Sequence, residues 1–405
     1  MSKGMLSYDE ALARLLAGAV VIDEVEMIAT QDAAGRVLAR NLVSAFDVPP
    51  LDNTSMDGYA VRCADVTVAG GQLQVAQRIA AGSVGHTLAP GTAARIFTGA
   101  PVPAGADAVV MQELCALDGS TLTINHVPHD GEWIRRRGED IAVGQAVLVA
   151  GQKLGAAELG VAASIGAAQL PVLRRLRVAL FSTGDELAMP GEALKPGGIY
   201  NSNRYTLKVL LEGLGCAVTD MGIVPDQLDA TRAVLREAAA GHDLILTSGG
   251  VSVGEEDHVK PAVEAEGELA MWKIAIKPGK PLAFGAIRKV GAGETAAFIG
   301  LPGNPVSSFV TFLMLVRPFV LQAQGAGFKP PRTLQVRADF DWKGDPRREF
   351  LRVRWNDADG LELFPNQSSG VLTSCAWADG LVDNPAGMPI AVGEMVRFLP
   401  FSELL

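Results

Sequence analysis

The sequence predicts an α/β multidomain protein whose central domain is a doubly wound, largely parallel sheet. Between residues 174 and 326, short apolar runs alternate with helical patterns, which is typical of βαβ units. Glycine-rich loops follow several of these runs, and glycine is abundant overall, at 45 of 405 residues. Ligands bind such sheets at the carboxyl ends of the strands, so these loops mark the expected site.

The remaining regions predict smaller domains. Residues 46–140 have short apolar runs between turn formers and read as a β-rich insertion into a unit formed by 1–45 and 141–173. Residues 327–405 predict a small β-barrel or sandwich.

The individual elements follow from local patterns. Ser7 and Glu10 form a capping box before a helix at 7–19, and Asn203 is expected to cap a helix that runs to Glu212. The insertion carries strands at 59–62, 108–111 and 122–124, and a helix is expected at 156–164. The central domain has strands at 178–181, 217–224, 244–246 and 295–299, with helices at 228–240, from about Glu255, and up to Ala323. Strands at 333–338 and 350–355 complete the chain.

Composition and charge exclude several classes of protein. The formal net charge is −10, which disfavours proteins that coat nucleic acid or anionic membranes. The four cysteines form neither a zinc motif nor a disulfide framework, and no secretory signal opens the chain. The longest apolar stretch, 306–322, is expected to be a buried helix. We therefore expect a cytoplasmic protein with reduced thiols.

Two loops after strands have the chemistry of a phosphate and metal site. The loop 247–254 offers backbone N–H groups to an anion, with Ser248, Gly249, Gly250 and Ser252 as expected cofactor contacts. The acids at 255–257 can complement a helix dipole, although Asp257 could hold a divalent cation. In the loop 182–187, Thr183 is an expected cofactor contact and Glu186 an expected ligand or metal contact, whereas an Asp-closed turn is the structural alternative.

Two further loops suggest an oxyanion site. Lys273, Lys277 and Lys280 are three of 11 lysines, and we expect the first two to share one face of a strand. A compact oxyanion would suit them, although lysines also guard solvated edge strands. In the loop 300–307, Asn304 can cap a helix, and the open helix end makes Ser307 an anion contact.

Seven motifs together resemble the MoeA-type molybdopterin molybdenumtransferase family, which is related to the gephyrin E domain. They are DNTSMDGYA (52–60), TGAPVP (98–103), RRRGED (135–140), STGDEL (182–187), TSGGVSVG (247–254), KPGKP (277–281) and GLPGNP (300–305). The likeness covers nearly the whole chain. It implies four domains: an elongated linker and dimerisation domain (1–45 plus 141–173), the insert (46–140), a molybdopterin-binding α/β domain (174–326) and a C-terminal β-barrel (327–405).

The resemblance also implies an activity and a set of site residues. Molybdate would be inserted into adenylylated molybdopterin with release of AMP, and Mg²⁺ would be required. The site would lie between the α/β domain of one subunit of a homodimer and the insert of the other. The implied catalytic residues are Asp57, Thr98, Arg135, Asp140, Glu186, Asp226, Asp257, Lys273 and Lys277. The molybdate pocket would use Lys277, Lys280, Ser307, Arg352 and Ser369, and Glu186 with Asp257 would hold the metal.

The expected partners are the small-molecule substrates and other proteins that make or use the same cofactor. The adenylylating protein and molybdoenzyme acceptors are expected contacts, whereas nucleic acid and membranes are not. Two alternatives from other classes stay open at this point: a gephyrin-like dimeric scaffold, and a pterin-nucleotide-binding protein without catalysis.

Overall fold

The computed structural model describes residues 5–251, 258–291 and 293–405, without the side chains of Met271 and Trp272. Within this part, the chain divides into two compact units. One comprises 1–26, 35–39 and 171–405, and the other comprises 27–34 and 40–170. The four domain boundaries expected from the sequence stay predictions.

The first unit contains the expected α/β sheet. Its six strands lie in the order Ala217–Val224, Arg177–Thr183, Leu244–Ser248, Thr295–Leu301, Pro281–Arg288 and Gly267–Lys273. The first four are parallel to one another. Pro281–Arg288 is antiparallel to Thr295–Leu301, and Gly267–Lys273 is antiparallel to Pro281–Arg288. Neither of these last two strands was expected from the sequence. The fold class expected from the sequence is confirmed.

Alternate residues of these strands pack against helices on opposite faces. Leu180 and Leu246 contact the apolar cluster that contains Leu207, on the helix Ser202–Gly213. Phe181 and Ile245 contact the cluster on the other face, which includes the helices Leu228–Gly241 and Val259–Glu266. Because successive side chains of a strand point to opposite faces, this packing makes the sheet doubly wound.

The apolar stretch near the end of the α/β region is a core helix, as expected. It comprises Pro305–Thr311, a π-helical segment Phe312–Val316, and Arg317–Ala323. Pro305–Ala323 is long and apolar enough to cross a membrane, but 83% of it is buried inside the protein. Burial of this kind is typical of a central helix in a globular core.

A second sheet in the same unit is formed mainly by the C-terminal region. Its strands are Ile276–Lys277, Arg348–Trp355, Gly380–Asn384, Met395–Pro400 and Leu334–Arg337, with Leu361–Leu363 paired to Arg348–Trp355. Closure of this sheet into a barrel stays a prediction. The unit also contains the helices Tyr8–Ala17 and Thr373–Trp377 and the strand pair Leu187–Ala188 with Ile199–Tyr200.

The second unit contains the β-rich insertion. Its six-stranded sheet has the order Ala108–Met111, Gly58–Val61, Thr92–Ile96, Gly71–Ile79, Thr121–Ile124 and Cys115–Asp118. Short antiparallel pairs join Asn53–Thr54 to Ile134–Arg135 and Leu42–Val43 to Ala146–Leu148. The helix Ala156–Ser164 has the expected bounds. The strands Val25–Ala29 and Gln169–Leu173 each run across a boundary of this unit. Short 3-10 helices are also present at Thr30–Asp32, Cys63–Asp65, Gln112–Leu114 and, in the first unit, Phe401–Glu403.

The helix start expected at Asn203 is wrong by two residues. Asn201 is the N-cap of Ser202–Gly213, and its side chain accepts a hydrogen bond from the Arg204 N–H. The capping box at the first helix is confirmed, since Ser7 and Glu10 exchange hydrogen bonds before Tyr8–Ala17. Both residues Asn201 and Asn203 suit a helix start, so composition alone could not choose between them.

Candidate functional site

The loops expected to bind ligand lie together at one edge of the α/β sheet. Ser182 pairs with Ser248, Thr183 with Val224, and Ser248 with Leu301 in the parallel registers. The segments that follow these strands therefore leave the sheet side by side. This edge is where open α/β sheets bind their ligands.

The two glycines after Ser248 have no room for a side chain. Gly249 has a φ of +94°, and a Cβ there would lie 2.5 Å from the Thr183 carbonyl oxygen. A Cβ at Gly250 would lie 2.7 Å from Thr183 Oγ1. The loop therefore packs directly on Thr183, which is buried together with Ser248. This close approach leaves backbone, rather than side chains, to face a ligand at the strand ends.

Asn203 joins the two glycine-rich loops. Its Nδ2 donates to Ser248 Oγ and to the Gly303 carbonyl, each at 2.7 Å. The side chain is buried, and it sits in the first turn of Ser202–Gly213. Asn203 thus fixes the spacing of the loops after two strands. The sequence predicts Asn203 only as a helix cap, because these contacts depend on the tertiary position of its helix.

Three carboxylates cluster beside these loops. The backbone N–H of Asp185 donates to Asp226 Oδ2 at 3.1 Å, and the N–H of Asp226 donates to Asp185 Oδ1 at 3.2 Å. Glu186 folds back beneath Gly184, where a Cβ would lie 2.6 Å from the carboxylate. Burial, together with the charges of Asp185 and Glu186, raises the pKa of Asp226 above its ordinary value. Crowded like charges of this kind attract a cation.

The carboxylate cluster suits a magnesium ion that also binds substrate. Among the described residues, no group of three His, Cys, Asp or Glu side chains could hold a metal by itself. Mg²⁺ commonly uses only one or two carboxylates and completes its shell with water and phosphate oxygens. Glu186 therefore fits the expected role, whereas its expected partner Asp257 lies outside the described residues, as does Ser252.

We expect Asp226→Asn to raise the thermal unfolding midpoint near neutral pH. Because the folded-state pKa of Asp226 is raised, folding disfavours its ionised form. This penalty is absent below the ordinary pKa of Asp, and it is complete once the pH exceeds the raised value. The gain from Asn should therefore vanish in acid, which thermal unfolding at both pH values would measure. A midpoint that falls near neutral pH would contradict this prediction.

Lys273 and Lys277 were expected to share one strand, and this prediction is wrong. Lys273 ends the strand Gly267–Lys273 of the α/β sheet, whereas Lys277 lies in Ile276–Lys277 of the second sheet. Lys277 pairs in parallel register with Glu349. Residues 274–275 connect the two strands, which lie in different sheets. The even spacing of the two lysines therefore does not place them on a common face.

Lys277 is held by two acids that the sequence analysis missed. Its Nζ lies 3.1 Å from Asp345 Oδ2 and 3.1 Å from Glu349 Oε1. Trp342 Nε1 donates to the second oxygen of Glu349 at 2.7 Å. These residues are more than 60 positions from Lys277 in the sequence, and no local pattern links them. The turn after Lys277 also packs on the core helix, because a Cβ at Gly279 would collide with Thr311 Oγ1.

The end of the core helix is less open than expected. The Val306 N–H donates to the Ser369 carbonyl at 3.0 Å, and Ser307 is buried beside it. The Asn304 side chain makes no capping hydrogen bond, although Asn304 is the N-cap residue. The structure thus brings Ser307 and Ser369 together, but through a backbone contact that occupies one of the free N–H groups of the helix.

Arg352 is buried behind the loop that carries Ser369. Its guanidinium donates to Ser374 Oγ, to the Phe350 carbonyl and to the Ser368 carbonyl. Burial lowers the pKa of Arg352 to about 10. The residue therefore supports the shape of the loop at 366–370. Lys280 is exposed at the end of the lysine turn.

In the second unit, Asp57 and Thr98 form a bonded pair. Asp57 Oδ1 accepts from both the backbone N–H and the hydroxyl of Thr98, each at 2.8 Å. These bonds hold the pKa of the Asp57 carboxyl below its ordinary value. The pairing of Gly58 with Ile96 in neighbouring strands brings the two loops together. Asp57 is thus an ionised, positioned carboxylate.

The arginine loop of the insert lies next to the same turn. Arg135 pairs with Asn53 in a short strand pair, and its side chain is exposed. Arg136 forms an ion pair with Asp52 at 2.8 Å, whereas Asp140 is exposed and its N–H donates to the Val48 carbonyl. Thr98 and Arg135 therefore both contact the segment 52–57, which ends at Asp57, while Asp140 contacts the chain just before it.

Comparisons with known proteins identify the family of the chain. Three family models match in order: the MoeA N-terminal region (domain I and II) at 6–166, a probable molybdopterin binding domain at 179–322, and the MoeA C-terminal region (domain IV) at 335–401. A molybdopterin molybdenumtransferase of Haemophilus influenzae is 44% identical over 99% of this chain and 100% of its own. The chain belongs to the MoeA-type molybdopterin molybdenumtransferase family.

Other members support the same assignment. Molybdopterin molybdenumtransferase 2 of Mycobacterium tuberculosis is 40% identical over 90% of this chain and 92% of its own. The crystal structure of a molybdopterin biosynthesis MoeA protein from Pyrococcus horikoshii OT3 has a TM-score of 0.82 and 27% identity, and it covers 98% of this chain and 100% of that one. The resemblance carried by the seven motifs is thus confirmed.

Proposed function

We propose that this MoeA-type protein is a molybdopterin molybdenumtransferase, which inserts molybdate into adenylylated molybdopterin and releases AMP. The observation that carries the proposal is the convergence of glycine loops and carboxylates at the carboxyl edge of one parallel sheet. Relatives of matching length bear this name, which favours a transferase in molybdenum cofactor biosynthesis over a scaffold or a non-catalytic binding protein.

The glycine loops bind the pterin nucleotide in this proposal. The Gly249 N–H is bonded to the Leu301 carbonyl, so the Gly250 N–H is the donor of this pair that suits a phosphate oxygen. Asn203 sets the distance between the two loops. Thr183 and Ser248 line the same edge with hydroxyl groups, and Thr183 Oγ1 is buried without a hydrogen-bond partner among the described residues. An unpaired buried hydroxyl of this kind is a suitable contact for a bound substrate.

The acids place the metal and the reacting phosphate. Glu186 and Asp257 would hold Mg²⁺, whose charge would stabilise the phosphate of the leaving AMP. Asp226 adds a third negative charge beside Glu186. Asp57, Thr98, Arg135 and Asp140 would complete the site from the insert of a second subunit, so the active form would be a homodimer. We place this homodimer in the cytoplasm as part of the same proposal.

The lysine turn holds the oxyanion in this proposal. Lys277 and Lys280 contribute charge, Ser307 and Ser369 contribute polar groups beside the helix end, and Arg352 shapes the loop of Ser369. Lys273 lies in the α/β sheet, at the end of Gly267–Lys273, whereas Lys277 lies in the second sheet. Molybdate would thus bind near a lysine whose position two carboxylates fix.

An insertion assay tests the proposal. Purified protein is incubated with adenylylated molybdopterin, molybdate and Mg²⁺, and both AMP release and molybdenum bound to the pterin are measured. We expect turnover by the wild type and a loss on the order of 100-fold in Lys277→Gln, since a lost electrostatic contact has effects of that size. Lys208→Gln, on the exposed face of a helix and paired with Glu212, is the matched control. Binding without AMP release by the wild type would exclude the transferase.

A further inference from the structure

The acids around Lys277 form a distinct charge network. Glu349 has no exposed surface, and its two oxygens face the Lys277 ammonium and Trp342 Nε1. Asp345 faces the same ammonium and also forms an ion pair with Arg347 at 3.0 Å. Two positive and two negative groups thus lie within one network, so the neighbouring acids partly offset the charge that Lys277 presents to an anion.

Glu349 prevents Lys277 from leaving this network. A buried carboxylate that loses its cation is strongly destabilised. The strand register also places Lys277 directly beside Glu349, so the ammonium cannot move far. Its Nζ lies 3.1 Å from an oxygen of each acid and 5.7 Å from the centre of the Trp342 ring, so these groups occupy much of the space around the ammonium. An oxyanion must therefore bind a lysine that stays paired.

We propose that Asp345 and Glu349 act as counter-ions that weaken oxyanion binding at Lys277, so that the site holds molybdate loosely enough to pass it on. The inference rests on the proposed function, in which Lys277 contacts molybdate. The carboxylates repel an incoming dianion while they fix the ammonium in place. They are positioning residues, since neither needs to touch the substrate.

Asp345→Asn is the decisive variant, because Asp345 is partly exposed and Glu349 still holds the lysine. The dissociation constant of molybdate is measured by isothermal titration calorimetry on the full chain. We expect it to fall about fivefold, since removal of one unit charge near the anion relieves roughly that much repulsion at intermediate dielectric. Asp341→Asn removes the same charge from an exposed residue that bonds the Val392 N–H, and it should leave the constant unchanged.

A pH series supplies a readout that a purely structural role would not change. Burial alone would lower the pKa of Lys277, but its hydrogen bonds to Asp345 and Glu349 raise it above the ordinary value. The charged groups of this network are Asp345, Glu349 and Arg347. In Asp345→Asn the ammonium should lose its proton at lower pH than in the wild type, so the gain in affinity should disappear in alkaline solution.

The outcomes separate the inference from the function. If the wild type binds molybdate and Asp345→Asn binds it equally or more weakly, the counter-ion role is overturned while the transferase stands. If neither protein binds molybdate and Lys277→Gln retains insertion activity, both the counter-ion role and the assignment of Lys277 are overturned. Thermal unfolding of Asp345→Asn confirms that any change in affinity arises in a folded protein.

Discussion

Asp243→Ala is expected to lower the free energy of unfolding by about 3–5 kcal/mol, which is the range for removing one partner of a buried ion pair. Asp243 accepts two hydrogen bonds from Arg174, at 2.7 and 2.9 Å, and a third from the Arg177 backbone N–H at 2.9 Å. The exposed fractions of the two side chains are only 10% for Arg174 and 20% for Asp243. The substitution would leave a buried guanidinium whose remaining acid, Glu24, is 59% exposed.

Two further variants make this stability prediction specific. Asp229→Ala removes a side chain that is 98% exposed and lies 4.0 Å from Arg232, so it should cost less than about 1 kcal/mol. The double variant Arg174→Met, Asp243→Leu should lose less than Asp243→Ala, because apolar groups can replace a buried pair. Denaturant unfolding measures all three. A loss from Asp243→Ala as small as that from Asp229→Ala would contradict the prediction.

The pH dependence of this pair has a defined sign. Burial would raise the pKa of Asp243, but the hydrogen bond and charge of Arg174 lower it below the ordinary value. The stabilisation is therefore present above the ordinary pKa of Asp and is lost as the pH falls through the folded-state value. The difference between the wild type and Asp243→Ala should shrink in acid.

Short apolar runs between turn residues predicted the parallel strands. Three of them, Arg177–Thr183, Leu244–Ser248 and Thr295–Leu301, are mostly buried. The fourth, Ala217–Val224, is the edge strand and only partly buried. The expected strand at 217–224 has the observed bounds, and the loops after it lie at the expected edge. The strand Pro281–Arg288 was missed, although it is mostly buried, because the lysine turn just before it was interpreted only as a site. It pairs antiparallel with Thr295–Leu301, the next strand along the chain, so the missed strand forms a hairpin with a strand that the sequence did predict.

Only those site residues whose role depends on the local sequence could be predicted. Glycine at 249 and acids at 185–186 are visible because a turn and a charge are local properties. The partners of Lys277 are not, since Glu349 reaches it through a strand pairing across more than 60 residues. Likewise, the contact of Asn203 with Gly303 depends on how a helix packs beside the sheet. Strand pairing and helix packing between distant segments therefore determine which polar residues are neighbours.

Gly249→Ala is expected to reduce AMP release on the order of 100-fold, which is the typical cost of displacing a binding group by about 1 Å. The φ of +94° is unfavourable for any side chain, and the added methyl would lie 2.5 Å from the Thr183 carbonyl. The loop must therefore move away from Thr183 and from the Leu301 carbonyl, to which the Gly249 N–H donates at 3.1 Å. The Gly250 N–H, which the proposed function assigns to a phosphate oxygen, would move with it.

Gly241→Ala is the control variant, because it adds the same methyl group to a glycine that has room for it. Gly241 ends the helix Leu228–Gly241, has no atom within 4 Å of an added Cβ, and does not require a positive φ. We expect it to retain wild-type AMP release. Binding of AMP to each variant, measured by calorimetry, shows whether the loss in Gly249→Ala lies in nucleotide binding. Wild-type turnover by a folded Gly249→Ala would show that the loop after Ser248 does not hold the phosphates, because the contact with Thr183 leaves no other way to fit the methyl.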